Sequence, residues 1–316
     1  MRRVLSIDGG GIKGVFPASF LASLEEALGG NHVANYFDLI VGTSTGGIIA
    51  LGLGLGLSAR EILNFYETYG PTIFCGNRFL RFLRSLGISK YSNVQLKEAL
   101  EDIFGERKLG ESRKRLVIPS FNLETGEVHV WKTSHHPRFE RDYKESVVGV
   151  ALSTAAAPTY FPTHRSAAGT PLVDGGMWAN NPIAVAVVES IGILGWSPDS
   201  LRVLSLGCTT TPLNIHWGRS YSLGMVYWGL KIADVFMTAQ SSSALGMAQL
   251  LVANRETIVR ISPAVGQRFG LDLVAEIPSL RGLGDSEARK ALPRLRPLFF
   301  DTPVVDDFEP YHKLQA

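Results

Sequence analysis

Cysteine is scarce in this chain: Cys75 and Cys208 are its only two thiols in 316 residues. Two cysteines cannot build a disulfide framework, and they are too few for a zinc site made of cysteine ligands. This scarcity favours reduced thiols in a cytosolic protein. The fold must therefore depend on an apolar core, and hydrophobic residues make up 45% of the sequence.

Neither sign of charge is in clear excess, and no long apolar run is present. Lys and Arg number 31 against 29 Asp and Glu, which gives no bulk electrostatic argument for binding a nucleic acid polymer. The most apolar stretch covers residues 46–57, whereas a bilayer span needs ~20 residues. We predict a buried helix there, so any membrane contact is expected to be peripheral.

Short apolar segments alternate with helical ones along most of the chain. Strands are predicted at residues 2–7, 37–41, 116–121, 128–132, 171–173, 203–206 and 257–261. Helices are predicted at residues 17–28, 59–69, 94–104 and 182–191, from 47 onward, and at 221–253 with a candidate break at serines 241–243. The alternation predicts an α/β fold with a mostly parallel sheet and helices on both faces. We expect one domain at residues 1–262 and a C-terminal extension, residues 263–316, packed on it.

A Gly-x-Ser-x-Gly pattern lies between a predicted strand and a predicted helix, at Gly42-Thr43-Ser44-Thr45-Gly46. This is the context of a nucleophile elbow, a sharp turn whose flanking residues must be small. The helix N-terminus behind the serine favours developing negative charge. The pattern predicts Ser44 as a nucleophile, and a plain turn rich in Gly and Thr is the alternative.

A glycine-rich loop, Asp8-Gly9-Gly10-Gly11-Ile12-Lys13-Gly14, follows the first predicted strand. Consecutive glycines let backbone N–H groups converge on an anion or a transient oxyanion. The same loop also satisfies Gly-x-Gly-x-x-Gly at Gly9, Gly11 and Gly14, so a dinucleotide-binding turn is an alternative. That turn needs an acidic residue at the end of the second strand, ~20 residues on, and the candidates at that distance lie inside a predicted helix.

An aspartate ends a short predicted strand at Asp174-Gly175-Gly176. An Asp-Gly pair is by itself an ordinary turn. A side chain at the end of a strand is, however, well placed to lie at the same sheet edge as Ser44. Only His216 and His312 follow Asp174 in the order Ser, Asp, His, and neither lies in a motif. The sequence predicts no metal site and no catalytic histidine.

These three motifs, in this order, resemble the motifs of the patatin-like phospholipase family. Residues 153–162 and Asn180-Asn181-Pro182 also resemble that family, and the similarity covers about residues 4–262. The resemblance implies a three-layer α/β/α fold and a Ser–Asp dyad, with Ser44 as nucleophile, Asp174 as proton acceptor and no cofactor. The implied oxyanion hole is drawn from Gly9, Gly10, Gly11, Lys13, Gly14 and Thr45.

Two positions depart from the family pattern. Lys13 stands where many members carry arginine, which keeps the charge but loses the fork geometry. Residues 206–209, Leu-Gly-Cys-Thr, stand where a Gly-Thr-Gly-like turn is expected. Neither position belongs to the expected dyad.

The resemblance implies hydrolysis of fatty-acyl esters in membrane phospholipids, by a cytoplasmic protein acting at the inner face of the membrane. One segment combines apolar and basic residues that suit a lipid surface: Phe74, Phe79, Leu80, Phe82 and Leu83, with Arg78, Arg81 and Arg84 interleaved. A half-buried helix with a solvated face is the alternative for this segment.

Compact chains of this kind resemble antiphage effectors that cyclic nucleotides activate. Phosphates of such an activator suit a basic group near the C-terminus, Arg281, Arg289, Lys290, Arg294 and Arg296. A solvated basic helix is the alternative for that group. A homo-oligomer is left open, as are two other function classes: a dinucleotide-dependent enzyme and a non-catalytic binding protein on this fold.

Overall fold

A mixed β-sheet runs through the centre of the computed structural model, which describes residues 1–75, 87–210, 225–266, 269–304 and 308–315. Its strands are β1 (Arg2–Ile7), β2 (Leu39–Gly42), β3 (Arg115–Asn122), β4 (Glu127–Lys132), β5 (His164–Arg165), β6 (Pro171–Asp174), β7 (Leu201–Leu206) and β8 (Ile258–Ile261). The strand order is β5-β6-β3-β2-β1-β7-β8, with β4 paired to β3.

The parallel part of the sheet contains β3, β2, β1, β7 and β8. The carboxyl ends of β1 and β2 lie at one edge, where the glycine loop and Ser44 follow them. Strand β6 is antiparallel to β3, so it begins beyond the end of β2 and runs back toward it, which leaves Asp174 opposite Ser120 on the part of β3 that extends past β2. The expected position of Asp174 beside Ser44 therefore arises from an antiparallel strand rather than from the parallel arrangement of the neighbours.

Helices cover both faces of the sheet. They are α1 (Val15–Ala27), α2 (Thr45–Gly54), α3 (Ala59–Ile73), α4 (Val94–Phe104), α5 (Val147–Thr154), α6 (Gly176–Ala179), α7 (Ile183–Val188), α8 (Met225–Leu251) and α9 (Ile277–Leu295). A 3₁₀ turn at Gly11–Gly14 leads into α1, and π-helical turns follow α7 and α9 at Glu189–Ile193 and Arg296–Phe300.

The central strands β1, β2, β3 and β7 are buried on both sides over most of their length, as a three-layer α/β/α fold requires. Leu5 and Ile40 belong to a core cluster shared with α1, α2 and α3. Their neighbours Val4 and Leu39 belong to a second cluster, shared with α7 and α8. Because side chains alternate across a strand, the two clusters occupy opposite faces. The fold class expected from the sequence, with a mostly parallel central sheet, is confirmed.

The predicted helices omit α5, which is buried along its whole length and has no amphipathic pattern, and α8 differs by continuing through the three serines at 241–243. No break is needed, because Asn181 Nδ2 donates to both the carbonyl and the hydroxyl of Ser241. Helix α1 begins at Val15 rather than Pro17, since the 3₁₀ turn runs directly into it. Among the described residues, no helix is both long and apolar enough to cross a membrane.

The C-terminal helix α9 packs on α1. The hydroxyls of Ser19 and Ser23 both donate to Asp285 Oδ1, at 2.8 and 2.6 Å. Beyond α9, the carbonyl of Phe299 accepts from Arg3 Nη1 at 2.8 Å. These contacts join the last helix to the first strand and helix, while the boundary between residues 262 and 263 stays a prediction.

Candidate active site

Ser44 occupies a strained turn between β2 and α2. Its backbone φ is 56° and its ψ is −123°, a conformation that L-residues rarely adopt. The turn needs glycine on both sides: a Cβ on Gly42 would lie 2.1 Å from the carbonyl oxygen of Gly46, and one on Gly46 would lie 2.3 Å from that of Ile7. This geometry is the nucleophile elbow that the sequence pattern predicts.

The Ser44 hydroxyl donates a hydrogen bond to Asp174 Oδ2 at 2.6 Å, and both side chains are buried. The other carboxylate oxygen, Oδ1, accepts from the backbone N–H of Gly176 at 2.6 Å. Burial raises the pKa of Asp174 to about 6, although the bonds from Ser44 and Gly176 act in the opposite direction. A carboxylate with this pKa is ionised at neutral pH and can accept a proton. Among the described residues, no histidine hydrogen-bonds to either side chain.

The glycine loop and the start of α2 converge beside this pair. A Cβ on Gly9 would lie 3.1 Å from Ser44 Cβ, and one on Gly14 would lie 2.1 Å from Thr45 Oγ1. The Gly9 amide, however, already donates to the carbonyl of Asn180 at 2.9 Å. Gly9 therefore shapes the site but does not supply a free donor, which corrects its expected role.

The remaining candidate oxyanion donors are the amides of Gly10, Gly11 and Thr45. Within the described part of the chain these amides make no hydrogen bond to protein, whereas the Lys13 amide donates to the carbonyl of Gly10 at 3.2 Å. Thr45 is the first residue of α2, so its N–H has no partner within the helix. An amide at a helix start also lies where the helix dipole favours negative charge.

Cys208 packs against the glycine loop. A Cβ on Gly10 would lie 2.6 Å from Cys208 Cβ, and the Cys208 thiol donates to the carbonyl of Asp8 at 3.5 Å. Burial raises the pKa of this thiol to about 12, so it stays protonated. At the position where the sequence departs from the family pattern, the chain thus places an inert side chain that supports the loop.

Thr154 is a site residue to which the sequence analysis assigns no role. Its hydroxyl accepts from the backbone N–H of Ser44 at 3.0 Å and donates to the carbonyl of Pro119 at 2.6 Å. The side chain is fully buried. Its only sequence signal is membership of residues 153–162, which resemble the family without indicating a function.

Two further contacts brace the site, and neither has a local sequence signal. Arg260, at the other end of the chain, forms a two-pronged ion pair with Asp8, the first residue of the glycine loop. Tyr66 on α3 bonds to both the hydroxyl and the carbonyl of Thr45, at 2.6 and 2.9 Å. Both are contacts over long sequence separations, which spacing alone does not reveal.

Several candidate residues lie apart from this site or outside the described residues. His312 bonds to the carbonyl of Pro137 through Nε2 and to Ser134 Oγ through its amide. His216 and residues 78–84 lie outside the described residues. Phe74 is half-buried and packs edge-on against Tyr91. Over the described ranges, no cluster of three or more His, Cys, Asp or Glu side chains is arranged to hold a metal ion.

Four members of the C-terminal basic group contact separate partners in the structure. Arg281 pairs with Glu67, and Lys290 pairs with Glu287. Arg289 and Arg296 donate to backbone carbonyls, those of Asp285 and Ala27. These four side chains thus have four different partners, and binding of an activator by this group stays a prediction.

Comparison with known proteins gives one family. A sequence profile described as patatin-like phospholipase matches residues 5–187, more than half of the chain. A protein named cGAMP-activated phospholipase from Pseudomonas aeruginosa is 38% identical over 253 residues, covering 79% of this chain and 75% of that protein. A protein of the same name from Vibrio cholerae is 31% identical over 317 residues, covering 91% and 88%.

The likeness to solved structures is more distant. The crystal structure of VipD from Legionella pneumophila covers 93% of this chain and 67% of its own, at a TM-score of 0.48 and 14% identity. At that distance the likeness supports no argument about residues or activity.

Proposed function

Because the chain belongs to the patatin-like phospholipase family and is a lipid ester hydrolase, we propose that it cleaves fatty-acyl esters of membrane phospholipids through a dyad of Ser44 and Asp174. The observation that carries the proposal is the buried 2.6 Å hydrogen bond between these two side chains. Family membership also favours the hydrolase over the dinucleotide-dependent and non-catalytic alternatives.

In the proposed reaction Ser44 Oγ attacks the ester carbonyl carbon while Asp174 accepts the hydroxyl proton. The carbonyl oxygen becomes an oxyanion, stabilised by the amides of Gly10, Gly11 and Thr45. The intermediate collapses, and the departing alkoxide takes the proton from Asp174. A water molecule then attacks the acyl-enzyme, gives its proton to Asp174, and releases the fatty acid as Ser44 is reprotonated.

The test compares variants on one soluble ester and on phosphatidylcholine. Ser44→Ala and Asp174→Asn should each lower kcat/KM by roughly 10³-fold or more, and the double variant should be no worse, because the two groups act as a unit. His312→Ala is the matched control and should retain the activity of the parent. Near-parental turnover by folded Ser44→Ala protein would sink the dyad.

Regulation by a cyclic nucleotide belongs to the same proposal. Two relatives that align over most of their length are named cGAMP-activated phospholipases. We expect low basal activity that rises when cGAMP is added, since a ligand shifts a population by its differential affinity for two states. Fatty-acid release measured with and without cGAMP tests this, and full activity without cGAMP that the ligand leaves unchanged counts against it.

The proposal places the reaction at the inner face of the membrane in the cytoplasm, with a phospholipid substrate and peripheral contact. Assembly into a homo-oligomer is part of the same proposal, and light scattering with and without cGAMP tests it. An unchanged monomer under both conditions contradicts the oligomer while leaving the hydrolase unaffected.

A further inference from the structure

The longest helix, α8, carries an apolar surface along its outer side. Positions 228, 232, 236, 239, 243, 247 and 250 follow one another at spacings of three and four residues, which place them on one face of a helix. We call this face the outer strip of α8; its large side chains are Trp228, Ile232, Phe236, Met247 and Leu250.

The outer strip is exposed from Ile232 to Leu250. The exposed fractions are 58% for Ile232, 60% for Phe236 and 74% for Leu250. The opposite side of the helix is the packed one: Ala244 and Ala248 are buried in the cluster that covers one face of the sheet. From 228 to 250 the strip extends about 33 Å, and an apolar surface of such length on a folded chain marks an interaction site.

Charge is absent from the strip. Lys231 and Asp234 are the charged residues between positions 228 and 250, and both lie off the spacing that defines the strip. A protein surface that binds anionic lipid headgroups carries Lys and Arg along its border. This strip therefore suits contact with acyl chains and glycerol esters through apolar burial, and not electrostatic capture.

The strip borders the candidate active site. Gln240, at its edge, exchanges two hydrogen bonds with the backbone of Asn181: it accepts from the N–H at 3.0 Å and donates to the carbonyl at 3.2 Å. The preceding residue, Asn180, accepts from the amide of Gly9 in the glycine loop. Met177, three residues after Asp174, is half exposed.

We propose that the outer strip of α8 docks the enzyme on a lipid bilayer and presents the site to its substrate. This inference rests on the proposed phospholipid substrate: a lipid ester has to reach Ser44 from a membrane, and this apolar face adjoins the residues that hold the glycine loop. The uncharged strip and its nearness to the glycine loop favour an uncharged bilayer surface as the occupant, and contact with a second copy of the chain is the outcome that the test separates.

The test measures binding and catalysis separately. For binding, Ser44→Ala protein, which leaves lipid intact, is mixed with phosphatidylcholine vesicles and recovered by flotation. Adding Ile232→Glu and Phe236→Glu should lower the bound fraction about tenfold or more, because two buried charges oppose insertion. Val128→Glu, an equally exposed apolar position on β4, is the matched control and should bind like the parent. High salt should not release the parent protein.

For catalysis, the same two glutamates are placed in the enzyme that retains Ser44. Hydrolysis of a soluble ester should be unchanged, while hydrolysis of phosphatidylcholine in vesicles should fall about tenfold or more. If the wild-type chain cleaves neither substrate, the proposed function is wrong. The docking inference is then decided by the flotation experiment alone.

Two results overturn the inference. In the first, the doubly substituted protein floats with vesicles as well as its parent. In the second, light scattering shows that the glutamates dissociate an oligomer while vesicle binding persists, which assigns the strip to contact between copies. Circular dichroism and thermal melting of each variant show that any loss comes from a folded protein.

Discussion

At the scale of single residues, the geometry of Ser44 depends on Thr154, which lies 110 residues away in the sequence. Thr154 binds the Ser44 amide and is itself held by the carbonyl of Pro119, at the strand that pairs with β6. One hydroxyl thus connects the strained backbone of the nucleophile to the strand that faces Asp174. We infer that Thr154 positions Ser44 without touching the substrate.

Replacing Thr154 by valine keeps the shape of the side chain but removes its hydroxyl. The Ser44 amide is then buried without a partner, at a cost of about 1–3 kcal/mol. We expect kcat on a soluble ester to fall by about tenfold or more, with KM little changed, because the loss concerns alignment and not binding. Thr154→Ser should restore most of the activity, and a valine variant with parental kcat contradicts the positioning role.

The pKa of Asp174 sets a second residue-scale expectation. Burial raises it to about 6, so the carboxyl is ionised and able to accept a proton above that pH, and protonated below it. We expect kcat/KM on a soluble ester to be level near neutral pH and to fall about tenfold per unit below pH 6. A profile that stays level down to pH 5 means that Asp174 is not the base.

The motif residues could be predicted from the sequence because each lies in a short, local pattern. Gly42, Ser44 and Gly46 are adjacent in one turn, and the structure shows why both glycines are needed. Thr154, Tyr66 and Arg260 could not be predicted, because they reach the site from positions 21 to 252 residues away from the residues they contact and none of them lies in a local motif. The hydrogen bond from the Gly9 amide to the carbonyl of Asn180 is likewise a contact between distant segments.

At the scale of elements, periodicity predicted most helices and strands, but it missed α5, which is buried on all sides, and the two-residue strand β5. The helix predicted over 221–253 carries a candidate break at three serines, yet α8 is continuous there, and Asn181 hydrogen-bonds to both the carbonyl and the hydroxyl of Ser241. The direction of β6 could not be predicted either, since a four-residue strand reads alike in both directions. Its antiparallel course is what turns Asp174 toward the end of β2.

The packing of α9 on α1 gives a prediction with a control in the same helix. A Cβ on Gly284 would lie 2.7 Å from the carbonyl oxygen of Phe16, so Gly284→Val should push the helices apart and destabilise the fold by about 1–3 kcal/mol. Gly282 has open space around it, and Gly282→Ala should stabilise the helix by about 0.5–1 kcal/mol. Urea unfolding measures both, and equal midpoints for the two variants contradict the close packing of α9 on α1.

At the scale of the whole molecule, the first and last strands of the parallel sheet are joined at the glycine loop. Arg260 on β8 reaches across β7 to Asp8, at the end of β1, and also donates to Ser205 on β7. Burial lowers the pKa of the Arg260 guanidinium, but the carboxylate of Asp8 raises that pKa by more, so the net shift is upward. The pair fixes the loop against the far edge of the sheet.

Removing one member of this ion pair should lower the free energy of unfolding more than removing both. Arg260→Met leaves the Asp8 carboxylate buried without its partner, and we expect about 3–5 kcal/mol of lost stability. The double variant Asp8→Asn, Arg260→Met no longer buries a charge and should recover part of that loss. Chemical unfolding of the parent, the two single variants and the double variant measures the coupling, and strictly additive effects contradict it.

The burial of Cys208 under the glycine loop has a practical consequence for spectroscopy. A thiol with a pKa of about 12 and almost no exposed surface does not react with maleimides at neutral pH, whereas Cys75 is exposed at the end of α3. The native chain therefore accepts one fluorophore at one position without any substitution. A dye attached there stands beside Phe74, on the flank of the molecule where α3 ends, and its emission can follow what cGAMP or a vesicle does to that flank in real time.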